Sequence, residues 1–148
     1  MTLYAILNLA AAVPLRLPVS KLTPPEGEPL LGRKEFADSL AVAPWVVDLD
    51  RCPAIAKTWR DQGRYKGWGY TFTSQNSLRP LVQHFKKFNL IQLEGKSEPV
   101  FFRYFDPKIF LPFMRDVAND EQYAAISKSI EEFFVEDAEK RVIVTIRG

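Results

Sequence analysis

The chain has 148 residues, of which 47% are hydrophobic and 26% are charged, and its formal net charge at pH 7 is +2. This length supports one domain with a sizeable core, and the near balance of charges argues against a nucleic-acid-binding surface. The single cysteine, Cys52, excludes an internal disulfide and fits the reducing cytoplasm. Membrane insertion is not expected, because no apolar run reaches the roughly 18 residues of a spanning helix.

The first sixty residues predict strands and helices in alternation. Residues 3–9 form an apolar run that is typical of a buried central strand. The prolines in residues 13–31 predict an extended surface loop, because proline fixes the backbone and removes a hydrogen-bond donor. We then expect a short helix over residues 33–40, a strand over 43–49 and a helix over 51–62.

Residues 67–74 alternate in the manner of a strand. Trp68, Tyr70 and Phe72 are predicted to share one face, and the intervening glycines and threonines to share the other. Exposed aromatic side chains contribute much of the energy at protein interfaces. Trp68 and Tyr70 are therefore candidate partner-binding residues.

The next helix is expected to begin after Asn76 or Ser77 and carries an apolar stripe at helical spacing. His84 lies at the edge of that stripe and is predicted to hydrogen-bond to the sheet. Lys86 lies on the outer face of the helix. Both side chains are candidate partner-binding residues.

Arg103 lies in the middle of an aromatic run, residues 100–105, that is predicted to be a strand. Both faces of that strand are otherwise apolar, so Arg103 is predicted to be buried and paired with a carboxylate. Asp106 precedes Pro107 in the order that favours a helix start, so Asp106 is predicted to be the N-cap. Arg103 and Asp106 complete the set of candidate partner-binding residues.

The rest of the chain predicts two hairpins and two helices. The first hairpin joins residues 91–93 and 100–105, and the second joins 132–135 and 141–146. The helices are expected over 107–118, with a kink at Pro112, and over 121–130. The predicted fold class is therefore α/β, a single domain with a mixed β-sheet flanked by helices and a C-terminal β-hairpin.

The sequence offers no assembled catalytic or cofactor site. One histidine and one cysteine do not make a zinc site, and no glycine-rich phosphate loop follows a strand. Ser74, His84 and Asp106 could be drawn together as a triad, but no nucleophile elbow surrounds Ser74. Cys52, before Pro53, is expected to be a small apolar residue at a helix start. No catalytic residue, metal or cofactor is predicted, and a binding module is the default interpretation.

Four segments occur in the order in which a known family has them. They are LYAIL at 3–7, APWVVDL at 43–49, WGYTFTS at 68–74 followed by His84-Phe85-Lys86, and FRYFDPKIFLPFM at 102–114. Together they resemble the adaptor chaperones of bacterial type VI secretion effectors, which are grouped as domain of unknown function family 4123. The resemblance covers nearly the whole chain.

The resemblance implies a cytoplasmic, non-enzymatic adaptor. Such adaptors hold a secreted toxic effector and deliver it to the VgrG-like spike protein of the secretion machine, so effector and spike are the expected partners. Many members carry a further C-terminal lobe. The 148 residues therefore correspond either to a single adaptor-like domain or to the N-terminal lobe of a larger chaperone.

Two other classes of protein stay open at this point. One is a small hydrolase or transferase that uses Arg103, Asp106 and His84. The other is a nucleic-acid binder that uses Lys86, Lys87 and exposed aromatic side chains. Turnover that is lost in His84→Ala would indicate the first, and an affinity that falls steeply with salt would indicate the second.

Overall fold

The computed structural model describes residues 1–31, 42–92 and 95–148, and a β-sheet of six strands forms its centre. The described residues contain eight strands: β1 (Thr2–Leu7), β2 (Gly27–Pro29), β3 (Trp45–Asp48), β4 (Gly69–Ser74), β5 (Leu90–Ile91), β6 (Val100–Phe101), β7 (Glu132–Asp137) and β8 (Val142–Arg147). The order in the main sheet is β2-β3-β1-β4-β7-β8, while β5 and β6 pair separately.

Five α-helices of the described ranges surround the sheet. They are α1 (Arg16–Ser20), α2 (Pro53–Thr58), α3 (Leu78–Lys86), α4 (Pro107–Pro112) and α5 (Asp120–Ser127). The structure confirms the predicted α/β class and the C-terminal hairpin, which is β7–β8. Every described strand pair is antiparallel. The predicted mixture of parallel and antiparallel strands is therefore not observed.

The strand predicted from residues 3–9 is β1, and it lies inside the sheet between β3 and β4. Its side chains alternate between two buried faces, which explains its continuous apolar sequence. Tyr4 and Ile6 point to the front face, which we define as the face shared with Phe72 and Phe133. Ala5 and Leu7 point to the opposite, back face.

The front face of the sheet carries the larger core. Helices α3 and α4 cover it through Leu81, Phe85 and Phe110, all of which are buried. Tyr70 on β4 stacks on Phe110 with ring centroids 4.3 Å apart. Aromatic contacts of this kind explain why most rings of the chain are internal.

The back face of β1 and β3 is covered by the segment that follows β1 and by α2. The prediction of an extended surface loop over residues 13–31 is wrong, because this segment contains a 3-10 turn (Val13–Leu15), α1 and β2. Leu15 and Val19 are buried against Val47 in the back-face core. Apolar side chains between the prolines therefore determine the structure of this segment.

Two predicted helices end in a wider turn. Helix α2 continues as a π-helical turn (Trp59–Gly63), and α4 continues as another (Phe113–Val117) immediately after Pro112. Proline cannot donate the regular helical hydrogen bond, so the change of winding falls where the sequence predicted a kink.

One predicted helix and part of one predicted hairpin lie outside the described residues. The helix expected over 33–40 belongs there entirely, and so do Leu93 and Glu94 of the first hairpin. The described ends of that hairpin do pair, with Leu90 opposite Phe101 and Ile91 opposite Val100. Strand β6 ends at Phe101, so it is shorter than predicted.

Candidate functional site

The structure contradicts the prediction for Arg103. The strand ends before it, and its side chain is exposed instead of buried. Among the described residues no ion pair to its guanidinium is present. The alternation of a strand does not continue past Phe101, so Phe102, Tyr104 and Phe105 are buried without enclosing Arg103.

Asp106 is the N-cap of α4, as predicted. Its Oδ1 accepts a hydrogen bond from the backbone N–H of Lys108 at 2.9 Å. Its backbone carbonyl accepts bonds from Ile109 and Phe110 in the first turn. The carboxylate is thus used locally to satisfy helix donors that would otherwise lack a partner.

The rings of Trp68 and Tyr70 are not available to a partner in this fold. Trp68 is 6% exposed and Tyr70 is fully buried. They also lie on different faces, since Trp68 packs in the back-face core and Tyr70 in the front-face core. Gly69 has a φ of +143° and interrupts the alternation on which the prediction of a shared face depended.

His84 lies at the border of the apolar stripe of α3, as expected, but its partner is a helix. Its Nε2 is 2.8 Å from the carbonyl oxygen of Ile126 in α5, so the predicted bond to the sheet is wrong. Burial lowers the pKa of His84, the bond to Ile126 partly opposes this, and nearby Lys87 and Lys128 lower the pKa further. The neutral ring therefore donates from Nε2 and joins α3 to α5. Lys86 is exposed on the outer face, as predicted.

Three of the four side chains in the two catalytic hypotheses, Ser74, His84 and Asp106, are engaged in structural hydrogen bonds. The hydroxyl of Ser74 is buried, donates to the carbonyl of Ser129 at 2.6 Å and accepts from the backbone of Asn76. In the described parts of the chain no hydrogen bond or ion pair joins His84 to Ser74, Arg103 or Asp106. Ser74, His84 and Asp106 are each held by a backbone group and not by another member of either set.

Cys52 is buried at the start of α2, as expected, with Pro53 at the first helical position. Burial raises the pKa of its thiol, and the negative charges of Glu26 and Asp48 act in the same direction. A raised thiol pKa disfavours the nucleophilic thiolate. No group of three or more His, Cys, Asp or Glu side chains suited to a metal ion occurs in ranges 1–31, 42–92 and 95–148.

An open cleft lies on the back face of the sheet, beside α2, where the covering segment ends. We call it the back-face cleft, and its volume is about 220 Å³. Its apolar lining comprises Leu3, Leu49, Ala56, Trp59, Phe134 and Ile143. Phe134 is half-buried and Ile143 is 47% exposed, so this apolar surface reaches solvent.

The polar lining of the back-face cleft contains Arg60, Arg64, Thr71 and Glu136. Glu136 accepts a hydrogen bond from the backbone N–H of Tyr65. Burial raises the pKa of Glu136, and that bond together with the charge of Arg64 opposes the rise. Both arginines are exposed, and within the described ranges neither forms an ion pair. The cleft therefore combines an apolar floor with a positive rim.

The sequence interpretation missed this site, although two signals point to it. In β7, Phe134 alternates with Glu132 and Glu136, so one large aromatic side chain lies among polar neighbours on the face that is not core. Ile143 lies opposite Glu136 in the register of the hairpin. The arginines come from a distant turn, and their approach to Phe134 depends on the tertiary fold.

The comparisons with known proteins identify the family. Residues 3–125 match the family described as "Domain of unknown function (DUF4123)", and the chain belongs to that family. Strands β7 and β8 lie beyond the matched residues. Searches of curated proteins and of solved structures each returned no match. In the described part of the chain, no helix has the length and apolar character needed to cross a membrane.

Proposed function

We propose that this chain is a non-enzymatic adaptor that binds a toxic effector of a type VI secretion system and helps to load it onto the spike protein. The observation that carries the proposal is the back-face cleft, an exposed apolar surface with charged neighbours. Interfaces commonly combine an apolar centre with a polar rim. Membership of the DUF4123 family, which the four sequence segments first indicated, supports the same interpretation.

The state of the polar side chains also favours binding over catalysis. A general base or nucleophile needs a free, well-placed lone pair. His84 and Ser74 instead hold neighbouring backbone carbonyls, and Asp106 holds a helix terminus. Each of these side chains has a local structural role that accounts for its position. The adaptor acts in the cytoplasm in this proposal, before the effector is exported.

Reconstitution with defined partners tests the proposal. The chain is co-expressed with type VI effector and spike genes from the same genome, and the purified complexes are measured by size-exclusion chromatography with light scattering. We expect a stoichiometric complex with the effector, the spike or both. Absence of a complex with either, together with substrate turnover by the purified chain, would refute the adaptor function.

A further inference from the structure

The part of the back face that no described residue covers has the width of one helix. It spans β4, β7 and β8, and adjacent strands lie about 4.8 Å apart, so the outer two of these three strands are about 10 Å apart. An α-helix with its side chains is about 10–12 Å wide. Ile143 and Thr145 on β8 are exposed there. The sheet thus has room for one further helix beside α2.

The charged residues around this surface indicate which kind of helix would bind there. Arg60 and Arg64 are exposed at the rim, whereas the nearby Asp61 is already paired with Lys57 at 2.7 Å. The carboxylate of Glu136 is also engaged, by the backbone of Tyr65. Within the described ranges neither Arg60 nor Arg64 forms an ion pair, although the charge of Arg64 acts on Glu136. Both guanidinium groups can therefore pair with carboxylates from outside, and opposite charges across an interface favour association.

On the basis of the proposed adaptor function, we propose that the back-face cleft docks an amphipathic helix of the partner protein. The apolar stripe of that helix covers Phe134 and Ile143. Acidic side chains on its flank pair with Arg60 and Arg64. An apolar helix face that lies in a groove and is oriented by flanking charges is a recurrent mode of peptide recognition.

Strand addition at the free edge of β8 is the competing mode, and two neighbouring residues distinguish it from helix docking. Ile143 and Val142 are almost equally exposed, at 47% and 45%. They point to opposite faces, since Ile143 lies opposite Glu136 and Val142 opposite Asp137. A strand added at the edge would contact both side chains, whereas a helix on the back face contacts Ile143 alone.

The first test compares Ile143→Gln with Val142→Gln, using as probes a purified type VI effector and a purified spike protein from the same genome. We expect Ile143→Gln to weaken binding of the partner about tenfold, because it places a polar group in the apolar centre of the interface. Val142→Gln should bind as the wild type does. Equal losses in both variants would indicate pairing at the edge of β8 and would overturn helix docking.

The second test reverses the rim charges. The double variant Arg60→Glu/Arg64→Glu is expected to weaken binding by about tenfold or more and to remove most of its salt dependence. The control is Lys108→Glu on α4, an exposed cation outside the cleft, at a position where a negative charge suits the helix start. Melting temperatures of all four variants show whether each remains folded.

The outcomes separate this inference from the proposed function. If the wild type binds effector or spike and none of the cleft variants weakens binding, the adaptor function stands and the docking site is wrong. If the wild type binds neither protein, the proposed function fails and this inference fails with it. If light scattering shows a dimer that Ile143→Gln dissociates, a second copy of the chain occupies the cleft and the inference is overturned.

Discussion

The imidazole Nε2 of His84 lies 2.8 Å from the carbonyl oxygen of Ile126, and this hydrogen bond joins α3 to α5. The edge of the ring also packs on Phe85 and Phe88, with centroid distances of 4.9 and 5.2 Å. The only histidine of the chain is therefore part of the packing between two helices.

The stability of the protein should depend on the protonation of His84. Burial lowers the pKa of His84 in the folded state below the ordinary value of 6.5, so the unfolded chain binds this proton more readily. The stabilisation of the folded state by the neutral ring of His84 is fully present above pH 6.5. It is lost as the pH falls below 6.5 and passes the lowered pKa of the folded state. Urea unfolding of the wild type and of His84→Gln at about pH 7.5 and about pH 5 measures how far the free energy of unfolding of each protein changes with pH. Identical pH dependence in both proteins would contradict it.

Arg103→Ala should leave the free energy of unfolding within about 0.5 kcal/mol of the wild type, because the side chain is exposed and makes no described ion pair. Arg79→Ala is the contrasting variant. Arg79 donates to both oxygens of Glu28 at 2.8 and 3.0 Å, and the Glu28 side chain is only 11% exposed. Removal of the Arg79 side chain should lower the free energy of unfolding by about 1 kcal/mol or more, because it leaves the largely buried carboxylate of Glu28 unpaired. Chemical denaturation that ranks the two variants in the reverse order would disprove this assignment.

Asp106→Ala should destabilise the protein by about 1 kcal/mol, because the backbone N–H of Lys108 loses its acceptor at the start of α4. Asp106→Asn should retain most of the stability, since asparagine also caps helices. Thermal melts of the three proteins under the same conditions provide the comparison. An equally large loss in both variants would mean that the charge of Asp106, rather than its cap geometry, matters.

Gly69→Ala should prevent folding or cost at least about 4 kcal/mol. A Cβ at Gly69 would lie 1.9 Å from the carbonyl oxygen of Ile6, and the φ of +143° is strained for any other residue. Gly67→Ala is the control, because its φ is +77° but nothing lies within 4 Å of a Cβ there. It should cost about 1–2 kcal/mol, the usual penalty of a left-handed conformation. Circular dichroism and the yield of folded protein measure both variants, and a well-folded Gly69→Ala would refute the close contact.

Local sequence patterns predicted the structure correctly where one short segment determines it. The apolar run of β1, the cap at Asp106, the break at Pro112 and the helix start at Cys52 each depend on neighbouring residues. The four ordered segments likewise indicated the DUF4123 family, to which the chain belongs.

Predictions from local patterns were wrong where distant contacts or one unusual backbone angle determine the position of a side chain. Arg103 is exposed because β6 ends early, and Trp68 changes face because Gly69 takes a positive φ against the backbone of Ile6. Side-chain alternation assumes an uninterrupted strand, so it could not anticipate either departure.

The α/β class, the central strand, the starts of α2, α3 and α4, and the family could be predicted from the sequence, because each follows from local periodicity, capping residues or ordered motifs. Which surface is open depends on long-range packing. Phe134 and Ile143 come from the C-terminal hairpin, whereas Arg60 and Arg64 come from the turn after α2. Their meeting on the back face requires the strand order β1-β4-β7-β8, and strand order is fixed by long-range packing.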